Sequence, residues 1–304
     1  MSSPRPKFLL LSFAFVTSFL GMVASSQAEE KATIWKLKRD ESTVYLAGSV
    51  HLLREQDHPL PKAYDRVYKD SDRVYFEVDM AEMDSMATKM KVMTMSMIPD
   101  GGMIKDLISE ETYAELQAYL DEAGEEMGAM AAMFERLTPG MLAMTITSLE
   151  AMKIGAIPDL GVEKVFDAKA RKDGKPVKGL ETTEFQIGLF NRLSKEEQDN
   201  LLKMTLQQVE ETPKMLGDMI NTWKSGDAEG LDQLLNKYFD DEENATLTKI
   251  LLHDRNASWI QPIEDELKTP GNAMFIVGAG HLVGDQSVIE MLEEKGYLPV
   301  QVNR

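Results

Sequence analysis

The sequence predicts an α+β fold, in which a central sheet is assembled from strands far apart in the chain and two large helical blocks are inserted between them. Three observations lead there. Short β-branched and aromatic runs occur at the start, in the middle and at the end of the chain, whereas residues 80–153 and 183–268 read as helical almost throughout. The third is a pattern that occurs twice. Val44-Tyr-Leu-Ala-Gly48-Ser-Val-His51 near one end matches Met274-Phe-Ile-Val-Gly278-Ala-Gly-His281 near the other. Each copy is an apolar strand that stops at a glycine, with a histidine three positions later. Glycine permits a sharp turn, and the histidine is delivered to the rim of the sheet.

The first 28 residues read as a signal peptide. Arg5 and Lys7 supply the positive segment, Phe8 to Val23 the apolar one, and Ser26-Gln27-Ala28 a small-x-small cleavage site. The apolar stretch is shorter than the roughly 20 residues that span a bilayer. Residues 29–304 are then expected to form one exported domain with no membrane span. Thr33 to Lys38 and Thr43 to Ala47 form a strand pair around the polar turn Arg39-Asp-Glu-Ser42. A short helix follows over Pro61 to Lys69, then a strand over Arg73 to Asp79. The first helical block runs from Met80 to Lys153 and is broken at Pro158–Gly161. A helix over Val162 to Arg171 precedes a short strand, Pro176 to Leu180, that ends at Glu181. The second block covers residues 183–268, with punctuation near Pro213, Gly226 and Asp240. Ala273 to Val277 is the strand before the second histidine; a helix over Gln286 to Lys295 and a strand over Tyr297 to Val302 close the chain.

The formal net charge is −18, and cleavage after Ala28 would remove two cations and make it more acidic. Such a surface repels phosphate backbones, so nucleic acid is not an expected partner. There is no cysteine, which excludes a thiol nucleophile, a thiolate metal site and a lipidated cysteine. Of 21 methionines, 14 lie between Met80 and Met152. Met80, Met83, Met86, Met90, Met93 and Met97 follow the spacing of one helix face. That face is an apolar packing surface, an adaptable surface for apolar or peptide ligands, or a set of thioethers for a soft metal.

Only four histidines are present, and two of them stand at the matched strand ends. If those strands are neighbours, His51 and His281 converge, which is the arrangement a divalent metal needs. Glu77 interrupts a buried-looking strand, and a carboxylate there requires a cation or hydrogen-bond donors. Glu181 ends its strand as the histidines follow theirs. Two histidines with one or two carboxylates suit Zn, Mn, Co or Fe(II). His58, in a proline-marked loop, reads as a surface residue, and His253, in the second helical block, as structural. Gly278-Ala-Gly-His-Leu-Val-Gly284 has the wrong spacing for a dinucleotide turn, and no Gly-x-Ser-x-Gly elbow occurs.

These residues resemble the TraB/GumN family, whose eukaryotic relatives include the Tiki metalloproteases. The resemblance rests on six blocks in the family's order: Gly48-Ser-Val-His51, Phe76-Glu-Val-Asp79, Asp159-Leu-Gly-Val-Glu163, Gly179-Leu-Glu-Thr-Thr-Glu184-Phe-Gln186, Arg255-Asn256 with Trp259, and Val277-Gly-Ala-Gly-His281-Leu-Val-Gly284. It implies an α+β fold with a central mixed sheet. In the Tiki branch it implies a divalent-metal peptidase centred on the paired histidines and a glutamate. Ser49-Val50 stands where relatives often carry threonine and isoleucine.

The expected function is an exported, divalent-metal-dependent hydrolase, a peptidase of the bacterial periplasm or a secreted one, using Mn, Co or Zn. His51 and His281 are the expected ligands; Glu77 is a third ligand or the base, and Glu181 the other candidate for that carboxylate role. Arg255 stabilises an oxyanion or substrate carboxylate, or pairs with Glu163, Glu181 or Glu184, and Asn256 donates a hydrogen bond. Two alternatives remain open. One is a non-enzymatic protein that sequesters peptides or a haem- or metal-like ligand in the same cleft, and the other is an ester hydrolase.

Overall fold

A computed structural model describes residues 30–124, 128–239 and 245–304, so residues 1–28, expected to be a signal peptide, lie outside the described residues. The chain opens with β1 (Lys31–Arg39) and β2 (Ser42–Ser49), an antiparallel pair turning at Asp40, whose φ of 50° places it in the left-handed region. Then come α1 (Lys62–Asp70) and β3 (Arg73–Val78). The first helical block comprises α2 (Met80–Met83), α3 (Met86–Ser96), α4 (Glu110–Ala123), α5 (Gly128–Phe134) and α6 (Pro139–Lys153). After α7 (Val162–Asp173) and β4 (Val177–Glu181), the second block comprises α8 (Thr183–Phe190), α9 (Lys195–Gln207), α10 (Thr212–Ser225), α11 (Ala228–Phe239), α12 (Ala245–Thr248) and α13 (Asp254–Glu266). β5 (Gly271–Gly278), α14 (Val288–Glu294) and β6 (Val300–Asn303) complete it.

The strands form one sheet in the order β4-β3-β5-β2-β1-β6. β4, β3, β5 and β2 run parallel, and β1 and β6 add an antiparallel edge, so the sheet is mixed. β2 and β5, from opposite ends of the chain, are neighbours in register, with Gly48 beside Val277 and Ser49 beside Gly278. The C-terminal ends of four parallel strands therefore lie along one edge, the place where open α/β sheets bind ligands.

The central strands β2 and β5 carry continuous apolar runs because both faces are covered there. Val44 to Ala47 and Ala273 to Val277 are all buried. Tyr64 and Tyr68 of α1, Phe166 of α7 and Trp223 of α10 meet in one aromatic cluster over the sheet. The two helical blocks pack mainly on each other, with Leu116, Leu142, Ile146 and Leu202 in a second core. Among the described residues no helix is long and apolar enough to cross a membrane.

The methionine spacing is divided between two helices: Met80, which is buried, and Met83 lie on α2, Met86, Met90 and Met93 face outward on α3, and Met97 follows α3 and packs against the second core. Met86, Met90 and Met93 are 75%, 57% and 61% exposed, while Thr88 and Ser96 are buried. Periodicity locates a stripe without saying which side the fold covers.

Trp223 ties the helical layer to the functional edge. It is 1% exposed, and its indole N–H donates to the Gly48 carbonyl at 2.8 Å, beside the Tyr64 hydroxyl at 2.8 Å. Replacing Trp223 with alanine is expected to lower the unfolding free energy by about 3–5 kcal/mol in a urea titration. A loss below about 1 kcal/mol would show that the cluster does not anchor β2.

Candidate functional site

At the C-terminal edge of the parallel strands, four elements deliver charged side chains to one place. β3 presents Glu77, β4 ends at Glu181, α13 projects Arg255 and Asn256, and a turn of 3₁₀ helix over Ala279–His281 follows β5. α13 is preceded by a π turn, Lys249–His253, a feature often found at functional sites. Its Leu251 carbonyl accepts from Arg255 Nη1 at 3.0 Å and helps aim the guanidinium.

Arg255 is the hub. Nη2 bonds Glu77 Oε2 at 2.5 Å and Glu181 Oε2 at 2.9 Å, and Nε lies 3.0–3.1 Å from both Glu181 oxygens. Nη1 donates to His281 Nε2 at 3.1 Å. Of the expected partners of Arg255, Glu181 is the one found; Glu163 and Glu184 pair elsewhere, with His51 and Lys91. Gln186 of α8 spans both carboxylates, its amide nitrogen 3.0 Å from Glu77 Oε2 and 3.0 Å from Glu181 Oε2. Glu181 also accepts from the Trp259 indole at 2.9 Å. Arg255, Gln186 and Trp259 thus occupy both oxygens of Glu181.

Glu77 Oε1 accepts from the Gly278 N–H at 2.7 Å. Burial works against the charge on Glu77. His281 when protonated, Arg255, His51 and the Gly278 N–H outweigh it and hold the carboxyl below its usual range. Glu77 is thus ionised. His281 is pushed the other way, chiefly by burial and also by the neighbouring Arg255 cation, so it is neutral.

Its tautomer follows from its partners. Arg255 only donates, so Nε2 must accept and the proton sits on Nδ1, 2.6 Å from Asn256 Oδ1. The Asn256 amide is oriented in turn by donating to the Gln286 carbonyl at 2.8 Å, and Gln286 holds a φ of 55°. Asn256 therefore positions His281. Trp259 packs on the imidazole with ring centroids 4.4 Å apart.

His51 is arranged similarly. Its Nδ1 lies 2.8 Å from Glu163 Oε1, which also accepts from the Ser49 hydroxyl. The Glu163 carboxylate raises the imidazole to about 9, an effect that solvent moderates because the His51 side chain is 63% exposed. The chain around Gly161 must approach closely here, since a Cβ at that position would stand 2.2 Å from the His51 carbonyl oxygen.

These pieces converge above Gly278. A Cβ built on that glycine would lie 3.2 Å from Glu77 Oε1, 3.4 Å from His281 Cδ2 and 3.6 Å from His51 Nε2. The donor chemistry suits a divalent metal: each histidine has an acceptor on Nδ1 and its Nε2 toward the others, the outer-shell arrangement of metal-bound imidazoles. The spacing is looser. No group of three or more His, Asp or Glu among the described residues stands close enough to hold a metal, and Arg255 uses the His281 lone pair. The remaining histidines are not among these converging groups. His58 bonds the Leu160 carbonyl at 2.9 Å, and His253 belongs to the π turn.

The sequence offered Glu163 only as a partner for Arg255, whereas it holds His51, and it gave no role to Gln186, Trp259 or Gln286. The Pro158–Gly161 break before Glu163 was a usable signal. Nothing in the spacing of the other three reveals their contacts.

The chain belongs to the TraB/PrgY/gumN family, which it matches over residues 33–301. It is 27% identical over 250 residues to the uncharacterized protein YbaP of Escherichia coli, covering 82% of this chain and 87% of that one. It is 23% identical over 320 residues to the metalloprotease TIKI2 of Danio rerio, covering 90% of this chain but 61% of that protein. Human metalloprotease TIKI1 is 22% identical over 89% of this chain and 62% of its own length. No solved structure gives a significant match.

The hydrogen-bond relay fixes an observable. Nitrogen-15 spectra of the imidazoles at neutral pH should show His281 protonated on Nδ1 with Nε2 bare. Protonation on Nε2 would contradict the Asn256 and Arg255 contacts.

Proposed function

We propose that this member of the TraB/PrgY/gumN family is a divalent-metal-dependent peptidase whose metal is held by His51, His281 and Glu77. The observation that carries this is the convergence of two imidazoles and a carboxylate oxygen above the α-carbon of Gly278. Charge supports it. Glu77 and Glu181 face Arg255 and Glu163 faces His51, so three carboxylates meet two cations around the cleft, a balance that favours a further cation. The likeness to the Tiki metalloproteases supports a peptide substrate.

When bound, the metal supplies Lewis-acid polarisation of a carbonyl and a nucleophile available near neutral pH. The protein's residues do the rest. Glu163 and Asn256 hold the histidines with their Nε2 atoms inward, which fixes ring orientation and raises ligand basicity. Gln186 and the Gly278 N–H hold Glu77 in place. For His281 to serve as a ligand, Arg255 Nη1 would have to release its Nε2. The guanidinium then remains beside the site, where its freed N–H groups face negative charge developing on a substrate oxygen.

A second reading draws on one observation, the Arg255 contact to His281. An arginine that keeps this lone pair leaves a cleft for binding without hydrolysis, a sequestering protein for peptides or a haem- or metal-like ligand. One substitution separates the two. Gly278→Ala puts a methyl group between Glu77 Oε1, the His281 ring and His51 Nε2, while the backbone, at φ −50° and ψ 132°, accepts alanine. The variant is expected to melt within a few degrees of wild type and to lose about 10–100-fold in affinity for Mn, Co or Zn by calorimetry, with peptide hydrolysis lost in parallel. Undiminished metal binding would overturn the assignment, and a wild-type chain that binds none of these metals would leave the sequestering protein.

We also propose that residues 1–28 are a signal peptide directing a single domain, residues 29–304, to the bacterial periplasm or out of the cell. N-terminal sequencing of protein recovered from its native compartment should begin at Glu29. Sequence beginning at Met1 or Ser2 would contradict export with cleavage.

A further inference from the structure

β4 is an edge strand of the sheet. It pairs with β3, the strand that carries Glu77, and its last residue is Glu181 itself. The parallel pairing decides which way the main chain of β4 turns. The Val74 N–H donates to the Pro176 carbonyl at 2.9 Å, and Val74 stands in register with Val177 as Phe76 does with Gly179. In a parallel ladder this register gives the even-numbered residues of β4 to β3, so the N–H and C=O groups of Val177 and Gly179 point away from the sheet. Among the described residues none of these outward groups has a partner.

The edge is also open to water. Lys178 and Gly179 are exposed. A Cβ at Gly179 would stand 2.7 Å from the Asp79 nitrogen, so the position stays bare of a side chain and shows its main chain. A lysine on an edge strand normally discourages pairing. Here the Lys178 ammonium is folded back over the sheet, 3.1 Å from the Tyr75 hydroxyl and 5.3 Å from its ring centre. What complements an alternating row of N–H and C=O groups is another extended backbone, largely irrespective of its side chains. The row runs into the candidate site. It ends at Glu181, which holds Arg255, and the chain continues into α8, whose Gln186 spans Glu77 and Glu181. A strand added beyond β4 would lie three strand spacings from β5, about 14 Å, a distance that about four residues of extended chain cross.

We propose that the free edge of β4 is the docking strand for the polypeptide substrate, which adds to the sheet as an extended segment bonded to the Val177 and Gly179 main chain. This deepens the peptidase reading and rests on it for the substrate class. Docking of this kind selects unfolded or extended segments over helices and tolerates varied sequences, because it is the backbone that is read.

The test uses the chain lacking residues 1–28 and two labelled ten-residue peptides of one sequence, alternating Thr and Val between terminal lysines. In the second peptide the central five main-chain nitrogens are methylated, which removes their donors and blocks strand pairing. Fluorescence anisotropy is read in a chelator, so that binding is measured apart from hydrolysis. Wild type should bind the first peptide, and the methylated one about tenfold or more weakly. Val177→Pro removes an outward N–H and puts a ring on the free edge while sparing the bonds to β3, a position where strands accept proline. It should melt within a few degrees of wild type and bind about tenfold or more weakly, whereas Val177→Thr, which keeps the N–H, should stay within about threefold. Equal binding of the two peptides by wild type overturns the proposal, and so does undiminished binding by a folded Val177→Pro chain. A wild type that ignores both peptides, or that dimerises through this edge instead, overturns it as well. If Val177→Pro does not fold, the methylated peptide alone decides. Docking that is lost with the methylated peptide, without hydrolysis under Mn, Co or Zn, upholds the docking strand and refutes only the peptidase reading.

Discussion

One buried guanidinium organises this molecule's functional edge. Arg255 is shared by Glu77, Glu181 and His281, and none of these groups tolerates burial alone. Taking charges out of water is expensive, and removing one partner of such a cluster leaves another uncompensated, at a cost of about 3–5 kcal/mol. The cluster therefore fixes the relative positions of β3, β4, α13 and the turn after β5, elements from distant parts of the chain. It also leaves a negative remainder, because Glu77, Glu181 and Glu163 meet two cations, Arg255 and His51, around the cleft. A site built this way is ordered before any ligand arrives and is biased toward a cation.

The sheet explains why these groups meet. Four parallel strands, β4-β3-β5-β2, end along the same edge, so residues at the ends of separate strands are neighbours without further design. Glycine makes the close approaches possible. Gly48 leaves no room for a Cβ against Thr33 and Ala279, and the Gly278 α-carbon faces the three converging donors. A second set of contacts governs orientation. Glu163 for His51, and Asn256 with the Gln286 carbonyl for His281, fix the orientation of two imidazoles whose rings approach one volume.

Much of this was legible in the sequence. The repeated strand-glycine-histidine pattern indicated that β2 and β5 end alike, and their parallel pairing follows from equivalent roles in one sheet. Glu77 stood out because a carboxylate in an apolar strand needs partners. What sequence left open depended on tertiary contact. The choice of ion-pair partner for Arg255 was undecided among three glutamates; the structure pairs it with one of those, Glu181, and with Glu77 besides. Asn256, read as a donor to substrate, is turned inward by the Gln286 carbonyl, a contact made across 30 residues of chain. The methionines were visible as the period of one helix face, but the break between α2 and α3 divides them, and the outward turn of Met86, Met90 and Met93 depends on how α3 is held against α8.

The central claim is that His51 and His281 share one cation. X-ray absorption of the zinc-loaded chain tests it directly. The account predicts two imidazole nitrogens at about 2.0–2.1 Å with oxygen donors completing the shell, and a first shell reduced to one imidazole in His281→Ala. A zinc shell of carboxylate oxygens alone, or one with two imidazoles that survives the loss of His281, would contradict it.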